Sequence, residues 1–248
     1  MITSESEEEL NKKMYEWQNT LKRRGLKINS KKTEVMVSGK RREDVNVTDT
    51  KGDDIMQVEG FCYLGSLLEE SGGCSKEVQL RISKAWRKWR EVSGVVCDKR
   101  MTIPLKRKIY TSVIRPVLLY GLETAALRKE EERALARTEM RMLRWICRIS
   151  LREHRTNDDI RKFIKVSPVS EKVKEARLRW LGHVIRRKEA DPIKKAFAEK
   201  VTGKRSRGRQ RIRWSDIVER DMKKIGAKIE DCQDRVKWKR LSRAADPT

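Results

Sequence analysis

Leu10, Met14, Trp17 and Leu21 recur at spacings of four, three and four, a period that predicts a helix with one face on a core. Ser4 or Ser6 supplies a cap ahead of it, and Gly25 ends it. Leu26–Asn29 and Val35–Val37 then read as short strands around a Lys-rich turn, and residues 39–54 form a polar excursion. Ile55–Val58 and Phe61–Leu67 read as a further β pair, and Ser71-Gly72-Gly73 breaks the chain.

From Lys76 the period becomes helical throughout. Val78, Ile82, Ala85, Trp89, Val92 and Val96 predict one helix. A second runs from about Pro104 to Leu119, with Pro104 in its first turn, a kink at Pro116 and closure at Tyr120-Gly121. Leu135, Thr138, Met142, Trp145 and Ile149 mark a third, and Val169, Val173, Ala176, Trp180 and Val184 a fourth. The tryptophans in these stripes are expected in the core rather than as base-stacking platforms. Two short helices near 214–225 and 233–243 finish a chain that is mainly α, with a small antiparallel β element near the N-terminus.

Charge changes the picture. Of 248 residues 40% are charged, against a norm near 25%, which favours an elongated set of amphipathic helices over one compact core. Lys and Arg number 61 against 37 acidic residues, a net +24 whose natural partner is a polyanion such as RNA or DNA; the plain alternative is solvated helix faces of mixed charge. The charge is densest at Lys204, Arg205, Arg207, Arg209, Arg211 and Arg213, six cations in ten positions spaced by Gly, Ser and Gln. That segment has too little apolar surface to fold without phosphate to bind. Lys84 and Lys88 add cations to the first helix after the break. No membrane span and no secretory leader is expected, and five scattered cysteines suit reduced thiols in the nucleus or cytoplasm.

Several segments in order carry a family resemblance. They are Glu7-Glu8-Glu9-Leu10, Gly25-Leu26-Lys27-Ile28-Asn29-x-x-Lys32-Thr33-Glu34, Tyr63-Leu64-Gly65 and Tyr110-x-x-Val113-x-x-Pro116-x-Leu118-x-Tyr120-Gly121-x-Glu123. Arg177-Leu178-Arg179-Trp180-Leu181-Gly182-His183, Gly203-Lys204-Arg205-x-Arg207-Gly208-Arg209, Arg213-Trp214-x-Asp216 and Arg235-x-Lys237-Trp238 follow, with Gln210 departing from the usual Pro. Together they resemble the C-terminal portion of a non-LTR retrotransposon reverse transcriptase of the endonuclease-reverse transcriptase type. The resemblance implies a partial palm over 1–72, a helical thumb over 73–150, a helical region over 151–200 and a basic segment with terminal helices over 201–248. It places Lys32 near the incoming nucleotide's phosphates. It also makes Phe61, Tyr63, Leu64 and Gly65 part of a hairpin that grips the primer end.

The family's paired aspartates would lie ahead of the first helix, so the resemblance implies a truncated RNA-directed DNA polymerase that is inactive alone. Magnesium would be a cofactor only of the intact enzyme, and the missing upstream half a possible partner. Gly52-Asp53-Asp54 reads as a turn and Asn157-Asp158-Asp159 as a helix start, neither replacing those carboxylates. Cys147, His154, His183 and Cys232 have no metal-site spacing. Three functions stay open: a polymerase fragment, a stand-alone binder of nucleic acid without sequence preference, and an inert or interaction remnant.

Overall fold

The structure, a computed structural model, describes residues 1–38, 44–49, 52–199 and 212–247. It is mainly helical and divides into two compact units, Met1–Glu77 and Val78–Thr248.

In the first unit helix α1 (Glu7–Arg23) starts at Ser6, whose hydroxyl accepts from the Glu9 amide at 3.2 Å. Glu7–Glu9 at its first turn and Lys22 and Arg23 at its last complement the helix dipole. The buried line is Met14 and Gln18, and Trp17 stays 50% exposed. This corrects the expectation that Trp17 is core: Leu10, Met14, Gln18 and Leu21 share one narrow stripe, and Trp17 falls on its margin. Met14, Val35, Val47 and Ile55 form the small core of this unit, with Ile28 packed against them.

Strand β1 (Glu34–Val35) pairs in parallel with β2 (Met56–Gln57), while β3 (Gly60–Tyr63) and β4 (Ser66–Glu69) form an antiparallel hairpin. Two sequence expectations therefore fail. Leu26–Asn29 is not a strand, and Leu26 is exposed, because this segment has no strand neighbour among the described residues. Phe61–Leu67 is not one strand either. Leu64 and Gly65, at φ 50° and 84°, reverse it. Gly52-Asp53-Asp54 is the turn that its composition predicts: the Gly52 amide donates to the Asp49 carbonyl and the Asp53 amide to the Asp49 carboxylate.

Helix α2 (Ser75–Val96) buries Val78, Ala85, Trp89 and Val96 as its period requires. The stretch expected as one kinked helix is α3 (Ile103–Ile109), a wide turn over Tyr110–Ile114, and α4 (Arg115–Leu119). Pro116 has no amide for the Ser112 carbonyl four residues back and its ring crowds that carbonyl. The chain widens instead, and the Arg115 amide donates to Tyr110, five residues back. Helix α5 (Lys129–Cys147) buries Leu135, Met142, Leu143 and Ile146, but Trp145 is 65% exposed, against expectation.

Helices α6 (Asn157–Ile164) and α7 (Val169–Ile185) pack on α5. Thr156 and Asp159 cap α6 reciprocally, each amide donating to the other's side chain at 3.2 Å. Short α8 (Pro192–Ala198), α9 (Trp214–Lys224) and α10 (Arg235–Ser242) surround α7. Leu178, Leu181, Val218, Cys232 and Trp238 make the core there. Arg177 pairs with Asp221, both buried. The Trp238 indole donates to the Leu178 carbonyl at 2.8 Å, and its ring lies where a Cβ on Gly182 would stand, at 2.5 Å.

The segment after α10 is tied down by Asp246. Its carboxylate takes two hydrogen bonds from Arg115, at 2.9 and 2.7 Å, and one from the Ser167 amide at 2.9 Å. Burial pushes the Asp246 carboxyl up, but the hydrogen bonds from Arg115 and Ser167 outweigh that and hold it below its ordinary value.

Two predictions follow from this packing. Ala at a helix-interior glycine ordinarily stabilises by about 1 kcal/mol. Gly182→Ala should instead lower stability by about 1–3 kcal/mol in urea unfolding, because the Trp238 ring cannot yield. Because the Asp246 carboxyl is more acidic folded than unfolded, its contribution is present above the unfolded value and lost as pH falls through the folded one. Asp246→Asn should therefore lower the melting temperature at pH 7, and the difference from the wild type should shrink as pH falls through the folded carboxyl's lowered value.

Candidate nucleic-acid interface

The hairpin of the first unit ends in a two-residue turn with both central residues at positive φ. That geometry matches the twist of paired strands and usually takes Asn-Gly. Gly65 fits it without cost. Leu64 does not, since a left-handed backbone with a Cβ costs roughly 1–2 kcal/mol. The side chain held there is 77% exposed, with Tyr63 beside it at 43%. Phe61 is half-buried and faces Leu68 across the hairpin. Glu77 accepts from the Leu67 amide at 2.7 Å and Glu69 from the Lys76 amide at 2.9 Å, so the first turn of α2 is bonded to β4. The hairpin thus presents an apolar tip on a braced base.

Lys32 closes a 3-10 turn, Ser30–Lys32, and is exposed. Lys22, Arg23, Arg24, Lys27 and Lys31 are exposed as well, six cations over residues 22–32 with no acid among them. Gly25, at φ 75°, lets the chain reverse within this run.

In the second unit the cations named from sequence differ in character. Lys84 and Lys88 on α2 are half-buried, and Lys88 pairs with Glu91. Arg213 is half-buried before α9, its amide donating to the Asp216 carboxylate at 3.2 Å. Lys204, Arg205, Arg207, Arg209 and Arg211 lie outside the described residues.

A row of cations aligned on one helix face lies elsewhere. Arg133, Arg137, Arg141, Arg144 and Arg148 follow one another at four, four, three and four on α5 and its cap. At 100° and 1.5 Å per residue they cover an arc of about 80° and a length of about 22 Å. Arg133, Arg137, Arg141 and Arg148 are exposed and make no ion pair with a described carboxylate. Arg144 is held by the Arg155 carbonyl at 2.8 Å. The Arg141 guanidinium lies 5.4 Å from the Trp86 ring centre, and Trp86 stands edge-on to Trp89 at 6.1 Å. The spacing was readable in the sequence, but the apolar stripe of the same helix drew the reading and set Trp145 in the core.

The geometry suits backbone contact. Guanidinium groups bind phosphate oxygens in a fork, and a row of them with no acid to satisfy is a row awaiting anions. The opposite edge of α5 holds Glu139, fully buried. It accepts from the Tyr110 hydroxyl at 3.0 Å, the Val169 amide at 3.0 Å and Arg161 at 3.4 Å. Burial pushes its carboxyl up despite these donors.

Other chemistry is thin. Among the described residues no group of three or more His, Cys, Asp or Glu could hold a metal ion, and no helix is long and apolar enough to cross a membrane. His183 packs against Trp180, ring centres 5.3 Å apart. Burial pushes the Cys147 and Cys232 thiols up to about 11, which leaves them protonated and weakly nucleophilic at neutral pH.

Leu64→Asn should raise the stability of the hairpin by about 1 kcal/mol, read as slower amide exchange across Gly60–Glu69, because Asn tolerates the left-handed region.

No family model and no solved structure matches the chain. An uncharacterized transposon-derived protein of Caenorhabditis elegans is 27% identical to it over 213 residues, which cover 80% of this chain and 73% of that protein. The chain is therefore similar to a protein of transposon origin.

Proposed function

We propose that this chain is the nucleic-acid-gripping portion of a non-LTR retrotransposon reverse transcriptase, holding RNA or DNA by its backbone without reading sequence. The observation that carries the reading is the row of arginines on α5, of which Arg133, Arg137 and Arg141 are exposed and make no ion pair with a described carboxylate. The family resemblance and the transposon-derived relative supply the context. In this reading Phe61, Tyr63, Leu64 and Gly65 steady a strand end, and Lys32 with its basic neighbours faces phosphate. The segment with Lys204, Arg205, Arg207, Arg209 and Arg211 adds further phosphate contacts.

The reading assigns the chain no bond-making step. Two-metal phosphoryl transfer needs carboxylates that set metals about 4 Å apart. The sequence contains no aromatic-Ala-Asp-Asp motif, and Gly52-Asp53-Asp54 forms a turn. Among the described residues no group of three or more His, Cys, Asp or Glu could hold a metal ion.

Each phosphate neutralised steepens the fall of log K with log salt by about 0.7–0.9. Filter binding between low and physiological salt should show a steep slope, alike for unrelated sequences. Replacing Arg133, Arg137 and Arg141 together with Ala should flatten it by about 2–3. An unchanged slope would remove α5 from the contact surface, and the absence of salt-sensitive binding would remove the function.

A further inference from the structure

Trp145 is the least expected residue on the surface of the second unit. It sits four residues after Arg141 and three before Arg148, so it borders the arginine row within an arc of about 120°. It is 65% exposed, and its indole N–H has no hydrogen-bond partner among the described residues. Trp86, by contrast, is already covered by Arg141 on its face and meets Trp89 at its edge. Beside the cations of α5 there is thus one closed ring and one open ring.

Phosphate contact does not need the open ring. Guanidinium groups bind the backbone of duplex and single strand alike. In a duplex the base faces are covered by their neighbours, and a large aromatic side chain beside the backbone finds nothing to stack on. In a single strand they are available, and a base–aromatic stack is sequence-tolerant because every base has a π-face. A ring left in water at the edge of a row of exposed arginines has the composition of such a platform: guanidinium groups for the backbone, an indole for the base between two phosphates.

We propose that the α5 face takes single-stranded nucleic acid, with an unpaired base stacked on Trp145 and the flanking phosphates on Arg141 and Arg148. This deepens the nucleic-acid reading above and rests on it. The remaining arginines of the row, Arg133 and Arg137, would follow the strand toward the start of the helix. The charge of the face excludes a basic partner, and an acidic protein segment is the competing occupant.

The test compares a short oligothymidylate with a self-complementary duplex of the same length, binding the full chain and its Trp145→Ala, Trp145→Phe and Arg137→Ala/Arg141→Ala variants. Trp145→Ala should weaken single-strand binding about five-fold or more and leave duplex affinity and the salt slope unchanged. Trp145→Phe should keep most of the affinity, and the arginine variant should weaken both ligands. The tryptophan fluorescence quenched by oligothymidylate in the wild type should be smaller in Trp145→Phe. Because Trp145 is exposed, unchanged circular dichroism is expected in every variant.

The inference is overturned if Trp145→Ala affects neither ligand, or both equally, while binding itself persists; the nucleic-acid reading then survives without it. If the wild type binds neither oligonucleotide, the reading falls as well. Trp145-dependent binding of a polyglutamate peptide in place of either oligonucleotide would assign the face to an acidic protein.

Discussion

The second unit depends on one buried carboxylate. Glu139 lies in the middle of α5 with no solvent exposure, and its three donors come from three other segments. Tyr110 brings the widened turn after α3, Arg161 brings α6, and the Val169 amide brings the first turn of α7. An ionised carboxylate without such partners would cost several kcal/mol. The same donors that relieve that cost fix the rotation of α5 about its axis, and rotation decides what the helix shows to solvent. With Glu139 and Leu135 turned inward, the arc from Arg133 to Arg148 has to face out.

Tyr110 links this centre to the end of the chain. Arg115 stands 6.0 Å from the Tyr110 ring centre and donates twice to Asp246. Acid and base therefore alternate from Asp246 through Arg115 to Glu139 and Arg161, with the tyrosine between. The two carboxylates respond to pH with opposite signs. Burial dominates at Glu139 and raises it, whereas hydrogen bonds dominate at Asp246 and lower it. As pH rises from strong acid, Asp246 begins to hold the C-terminal segment before Glu139 ionises in the core.

Much of this was legible in the sequence. The apolar periods located α1, α2, α5 and α7, Ser6 capped α1, Gly25 and Gly121 ended their segments, and the Asn157-Asp158-Asp159 start was placed. The losses share a cause. A stripe gives the buried arc of a helix but not its width, so Trp17 and Trp145 at the margins were put inside while Gln18, Glu139 and Arg177 were left out. Those polar residues are buried because partners far along the chain satisfy them, and period carries no information about partners. The β pattern failed differently. Leu64-Gly65 is not a recognised turn pair, so the residue pattern alone ran Phe61–Leu67 as one strand where the resemblance implied a hairpin, and a two-residue parallel pair has no local signature.

Three of the segments that suggested a family, those with Arg177–His183, Trp214 and Trp238, turn out to be joints. Gly182 receives the Trp238 ring, and Arg177 meets Asp221. Trp214 reaches back ninety-odd positions to donate to the Glu123 carbonyl at 2.8 Å. Each pair couples a motif after α6 to another element of the second unit, and none points a functional group at solvent. A motif of this kind records how α7, α9 and α10 pack, which a relative needs whether or not it copies nucleic acid. The arginine row on α5 is different, because Arg133, Arg137 and Arg141 make no ion pair with a described carboxylate. Packing accounts for Trp238 and Asp221; it leaves Arg133, Arg137 and Trp145 without a reason, and function has to supply one.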